Sequence, residues 1–204
     1  MYDTIASDEV IEKTIQNLAP RRFEGIVAAN KAEALDKIKE LIPKGASVMN
    51  GSSRTLEEIG FIDYLKAGEH GWDNLHAQVL AETDPEKRAQ LRKSGILSDY
   101  YLGSVHALTQ EGEMVIASNT GSQLPHIAFT SPNLIFVVGA QKIVADLKSA
   151  FERLENYVVG LEDERLLQVY GVHTTRSKTL IFHKESPQST RNVKVIIVKE
   201  KLGF

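Results

Sequence analysis

Residues 133–142 read NLIFVVGAQK. Positions 133–138 form an apolar run with no alternating polar face, the pattern of a strand covered on both sides. Gly139 follows at once, then Ala140, Gln141 and Lys142. A glycine directly after a buried strand allows backbone or ligand to approach closely. Beyond it, Ile143, Val144, Leu147, Phe151 and Leu154 fall on one side of an expected helix over 143–158.

Working outward, strands are expected at 25–29, 46–50, 105–109, 113–118, 179–183 and 193–198. Helices are expected between them. Ser7 caps one over 7–18, with Asp8 and Glu9 at its positive end. Asn30 caps another over 31–42, which Pro43-Lys44-Gly45 ends. Shorter helices are expected over 56–60, 86–95, 123–130 (with Pro125 in the first turn) and 162–169. Residues 61–75, with Gly68, Gly71 and Trp72, read as an irregular charged connection, and 105–118 as a hairpin turning at Gly112. Alternating strands and helices predict an α/β fold: an open, Rossmann-like mixed sheet with a β-hairpin insertion. An N-terminal helix over 1–20 precedes a single domain over 21–204.

Composition narrows the function classes. The chain has 204 residues, 42% hydrophobic and 25% charged, enough to bury a core without covalent staples. It contains no cysteine, which excludes disulfides, a thiolate zinc site, an iron–sulfur cluster held by this chain and cysteine nucleophile chemistry. A net charge of −3 argues against a general nucleic-acid binder. No apolar run approaches a membrane span, and the opening MYDTIASDEVIEKTI is too polar for a signal peptide, so a cytoplasmic protein is expected.

Ligands of open α/β sheets sit beyond the carboxyl ends of the strands. Three small polar turns are expected there. The first is Asn50, Gly51, Ser52, Ser53, Arg54 and Thr55: Gly51 permits a tight turn, the serines offer hydroxyls, and Arg54 adds a bidentate donor if it points inward. The second is Asn119, Thr120, Gly121 and Ser122. The third holds Gly139, Gln141 and Lys142, where Lys142 neutralises a bound anion or is simply solvated. Plain helix capping explains the first two equally well. A shared anion pocket requires the second turn to reach the same sheet edge, and it follows a hairpin strand of unread direction. Glu57, Glu58 and Asp99 are the acid–base candidates. The histidines (70, 76, 106, 126, 173, 183) show no metal-ligand spacing, so no metal is expected, and no cofactor is indicated. There is neither a G-x-x-x-x-G-K-[ST] loop nor a G-x-S-x-G elbow.

Four ordered blocks carry a resemblance: VMNGSSRTLEEIG, SDYYLGSVHALTQEGEMVIASNTGSQLP, NLIFVVGAQKIVADLKSAFERL and VKVIIVKEKLGF. Together they resemble the lactate-utilization (LUD) domain family in its short, stand-alone, cysteine-free form, over about residues 20–204. The resemblance implies a fold like that of the sugar-phosphate isomerase, CoA-transferase and formyltetrahydrofolate cyclo-ligase superfamily. It also implies an accessory or small-anion-binding subunit associated with lactate and pyruvate metabolism, with iron–sulfur oxidoreductase subunits as partners. The alternative is a stand-alone enzyme acting on a phosphorylated or carboxylated small molecule, as the fold relatives do. No nucleic acid or membrane partner is implied.

Overall fold

The computed structural model describes residues 2–204. Its centre is the apolar run that opened the sequence. This strand, β7 (Asn133–Gly139), lies in a six-stranded sheet with β1 (Phe23–Ala28), β2 (Ser47–Asn50), β3 (Asp73–Asn74), β4 (Tyr100–Gly103) and β10 (Asn192–Val198). The order is β1-β10-β7-β4-β2-β3, and every neighbouring pair is parallel.

Side-chain alternation along β7 assigns the two faces. Leu134, Phe136 and Val138 join one core with Ile11 and Leu18 of helix α1 (Asp8–Leu18). Ile135 and Val137 join the other. That second core holds Ala34 and Ile38 of α2 (Lys31–Leu41), Leu56 of α3 (Arg54–Glu58), and Phe61 and Leu65 of α4 (Phe61–Ala67). The capping expectations hold: Ser7 accepts from the Val10 amide at 3.4 Å, and Asn30 from the Glu33 amide at 3.0 Å.

The hairpin occupies a sheet of its own. Strands β5 (Ala107–Thr109), β6 (Met114–Ser118), β8 (Ile143–Val144) and β9 (Lys178–Phe182) are ordered β8-β5-β6-β9. Pairs β5–β6 and β6–β9 are antiparallel, and β5–β8 is parallel. The expected single mixed sheet is therefore two sheets, one wholly parallel and one mixed. Leu108, Met114 and Ile116 of the smaller sheet pack into the same core as α1, while Ala107 and Val115 pack against Ala150 of α7 (Leu147–Arg153).

Four local readings need correction. Residues 61–75 are irregular only over 68–72: α4 occupies Phe61–Ala67, β3 follows at Asp73, and Trp72 is buried, stacked on His70 at 5.2 Å and edge-on to Tyr64 at 5.6 Å. Its indole N–H donates to the Ile42 carbonyl at 3.1 Å. Phe61 and Leu65, one helical turn apart, form the apolar stripe that the surrounding charges obscured. Second, the helix expected over 143–158 starts later. Asp146 caps it, accepting from the Ser149 amide at 2.7 Å, and the β-branched pair Ile143 and Val144 instead forms β8 beside Leu108 and Thr109. A π-helical stretch, Leu154–Val158, then continues into α8 (Val159–Tyr170). Third, residues 100–103, read as a lead-in to the hairpin, form β4 between β2 and β7. Fourth, the helix expected over 123–130 is present, but it is π-helical over His126–Thr130. Two further helices, α5 (Leu75–Ala81) and α6 (Pro85–Ser94), complete the fold.

The burial of Trp72 gives a direct check. Trp72→Ala is expected to lower stability by about 3–5 kcal/mol, as for a large aromatic removed from a core. An exposed connection would change by less than about 0.5 kcal/mol. Urea unfolding followed by circular dichroism distinguishes the two.

Candidate functional site

The carboxyl ends of β2 and β4 open into one cavity of about 480 Å³, which Lys142, three residues beyond β7, also lines. From the first turn, Asn50, Gly51, Ser52, Ser53, Arg54 and Thr55 line it. From the second, Asn119, Thr120 and Ser122 line it, carried there by the end of β6 although that strand belongs to the smaller sheet. From the third, only Lys142 does.

Gly121, Gly139 and Gln141 are not on the cavity wall. The Gln141 amide group donates to the Leu202 carbonyl at 2.8 Å, and its oxygen accepts from the Leu202 amide at 3.3 Å. Gly139 is required for the same reason: a Cβ there would strike the Gln141 oxygen and lie 2.7 Å from the Leu202 nitrogen. The close approach expected at Gly139 is thus made by the chain's own residues 200–202. Phe204, at the end of this segment, reaches the cavity wall. The third turn also opens no α-helix: Ala140–Lys142 make one 3-10 turn that passes directly into β8.

Gly51 has its own steric reason. A Cβ would come 2.6 Å from the hydroxyl oxygen of Tyr101, so the side chain from β4 fixes the glycine. Burial pushes the Tyr101 phenol up from its usual pKa, and its ring stacks on His126 at 4.5 Å. The same hydroxyl donates to Gln123 Oε1 at 3.5 Å, and Gln123 Nε2 donates to the Ala117 carbonyl at 2.9 Å. This chain of contacts holds the second turn against the first. Within the second turn, the Thr120 hydroxyl donates to Ser122 Oγ at 3.2 Å, and the Gly121 amide to Ser118 Oγ at 2.9 Å.

Lys142 lies on the cavity wall. It is only 2% exposed, so the solvated alternative does not hold. Its ammonium donates to Thr55 Oγ1 at 2.9 Å and to Ser104 Oγ at 3.1 Å. Among the described residues, no carboxylate lies within ion-pair distance of it. Burial, reinforced by the Arg153 guanidinium and opposed by Glu58, lowers the Lys142 pKa to about 7. Arg153 is itself fully buried. One of its nitrogens donates to the His106 carbonyl, its plane lies 5.3 Å from the Tyr157 ring, and Nε and Nη2 have no partner among the described residues. Its pKa falls to about 10 through burial. His106, also on the wall, accepts from the Ala117 amide through Nδ1 at 3.1 Å, which leaves the ring proton on Nε2. Burial and the two neighbouring cations push its pKa down to about 3, so it is neutral at physiological pH. Asn50 is 3% exposed; its amide nitrogen donates to the Gly51 carbonyl at 3.1 Å, and its oxygen has no partner.

The acid–base candidates are otherwise engaged. Arg54 does not aim a free guanidinium inward: it pairs with Glu57 at 3.0 Å and Glu58 at 3.5 Å. Glu58 also accepts from the Gly203 amide at 2.7 Å. Asp99 accepts from the Ser47 amide and hydroxyl at 2.8 and 2.7 Å, which holds its carboxyl below the usual range, and it does not line the cavity. Sequence reasoning missed Ser104, His106, Tyr101 and Arg153. Only Ser104 left a signal, a small polar residue directly after an apolar strand. Among the described residues, no group of three or more His, Asp or Glu side chains could hold a metal ion, and no helix is long and apolar enough to cross a membrane.

A parallel sheet with a polar cleft at its carboxyl edge and a mixed sheet packed on one face defines a Rossmann-like α/β protein. The sequence profile of the LUD domain matches residues 11–203, and the chain belongs to that family. A crystal structure of a DUF162 family protein from Deinococcus radiodurans has the same fold, with a TM-score of 0.53 at 12% identity, covering 96% of this chain and 99% of that one. No curated protein sequence matches the chain.

The buried ammonium makes stability pH-dependent. The folded chain holds the Lys142 proton less tightly than the unfolded chain, so between about pH 7 and the ordinary lysine range the unfolded state carries more protons. The contribution of this group to stability therefore rises with pH across that window, by at most about 1.4 kcal/mol per pH unit. Lys142→Met is expected to remove that rise, measured by urea unfolding at pH 7, 8 and 9.

Proposed function

We propose that this LUD-domain protein is a small-anion-binding subunit associated with lactate and pyruvate metabolism. In this reading the cleft holds a small carboxylate with Lys142 as its counter-ion. One observation carries it: a lysine with no carboxylate partner among the described residues lies on the wall of a cavity large enough for a small metabolite. An ammonium removed from water is destabilising unless paired. Two hydroxyls satisfy its hydrogen bonds but not its charge, and a ligand carboxylate would do both. With no cysteine, the chain offers no thiolate for a cluster, so electron transfer in such a system would fall to iron–sulfur oxidoreductase subunits acting as partners.

The alternative, a stand-alone enzyme acting on a phosphorylated or carboxylated molecule, needs an acid or base in the cleft. Glu57 and Glu58 are tied to Arg54 and the Gly203 amide, and Asp99 to Ser47. Those engagements favour binding over acid–base catalysis by these carboxylates.

Binding should take up protons. At pH 8 much of the Lys142 population is neutral, and an anion raises its pKa. Calorimetric titration with pyruvate, lactate or inorganic phosphate in two buffers of different ionisation enthalpy is expected to show proton uptake at pH 8 and little at pH 6. A ligand at 100 times its Kd should stabilise the fold by about 2.7 kcal/mol. Lys142→Met should abolish both effects while the far-ultraviolet spectrum stays native. If all three anions fail to bind the wild-type chain, the reading is wrong.

A further inference from the structure

We propose that the Lys142 amine condenses with the carbonyl carbon of a small 2-oxo acid held in the cleft, forming a covalent imine. The proposal rests on the reading of the cleft as a small-acid site and goes beyond it, because a counter-ion alone makes no bond. The geometry separates the two. A lysine meant only to attract an anion needs no second cation beside it. Lys142 is instead enclosed, with the buried guanidinium of Arg153 as its cationic neighbour and neutral hydroxyls as its hydrogen-bond partners. Desolvation beside a second cation is the environment that makes a lysine amine nucleophilic.

The groups around Lys142 come from several elements. Thr55 lies on α3 and Ser104 just beyond β4; Arg153 of α7 disfavours the ammonium and Glu58 of α3 favours it. His106, which follows β4, stays neutral and does not compete for the proton near pH 7. The displaced lysine proton would pass to solvent through the hydroxyls of Thr55 and Ser104, which already hold the nitrogen.

The bookkeeping closes without an oxidant or reductant. The nitrogen lone pair attacks the carbonyl carbon, and the carbonyl π electrons move to oxygen. A proton transferred from nitrogen to that oxygen gives the carbinolamine. The carbon–oxygen bond then breaks, and the oxygen leaves as water with the second amine proton. The imine, once protonated, still carries a positive charge next to the ligand carboxylate, so the electrostatic role of the nitrogen is preserved.

The test uses the full-length wild-type chain with pyruvate and sodium cyanoborohydride near pH 7.5, followed by proteolysis and peptide mass spectrometry. Reduction of the imine leaves a carboxyethyl group on the modified lysine. An ordinary lysine is about 1,000-fold less populated as free amine near pH 7 than one with a pKa of about 7. Lys142 is therefore expected to be modified at least about tenfold faster than any other lysine. Its modification should rise with pH through about 7 and then level off. A parallel thermal-shift titration with pyruvate separates the possible failures. If pyruvate stabilises the fold but modification spreads evenly over the surface lysines or omits Lys142, the imine is refuted and anion binding survives. If pyruvate neither stabilises the chain nor labels Lys142, both readings fall together.

Discussion

Covering β7 on both faces is the constraint from which the rest of the architecture follows. Leu134 to Val138 are all at most 1% exposed, and their alternation sends successive side chains into different cores. One face takes α2, α3 and α4, and the other takes α1 together with an entire second sheet. Burying a large aliphatic side chain contributes about 1.5–3 kcal/mol, so this one strand accounts for a substantial share of the folding drive. Its two-sided burial also fixes its position inside the sheet, which places its carboxyl end beside those of β4 and β2.

The cleft at that edge is organised around charge held in an apolar setting. Arg153 and Lys142 are both buried, and the Arg153 guanidinium disfavours the charged form of Lys142. Hydrophobic replacements of similar size often match or exceed such groups in stability. A fully buried Arg153 acting on a lysine of the cavity wall is hard to explain as packing. It is the pattern expected where stability has been exchanged for chemistry or recognition.

Much of this was legible in the sequence, for identifiable reasons. The β7 run, the hairpin and the caps at Ser7 and Asn30 depend on local patterns that survive folding. The two sheets were not separable, because strand pairing is a long-range property: residues 100–103 and 143–144 are too short to announce their partners. Helix α4 was hidden by charges on its outer face. At the cleft, the small polar turns after 50 and 118 were visible, as was Lys142. The roles of Gly139 and Gln141 were not, since their partner lies about sixty residues downstream. Nor was Arg54's engagement with its own helix, because a sequence does not say which way a flexible side chain turns.

The pairing of β1 with β10 has a consequence for synthesis. Strand β1 is made well before its neighbour in the sheet, residues 192–198. While the chain elongates, β1 has nothing to pair with, and neither does the side of β7 that β10 will occupy. The nascent protein therefore carries two unpaired strand edges until β10 slides between them, as a keystone enters an arch.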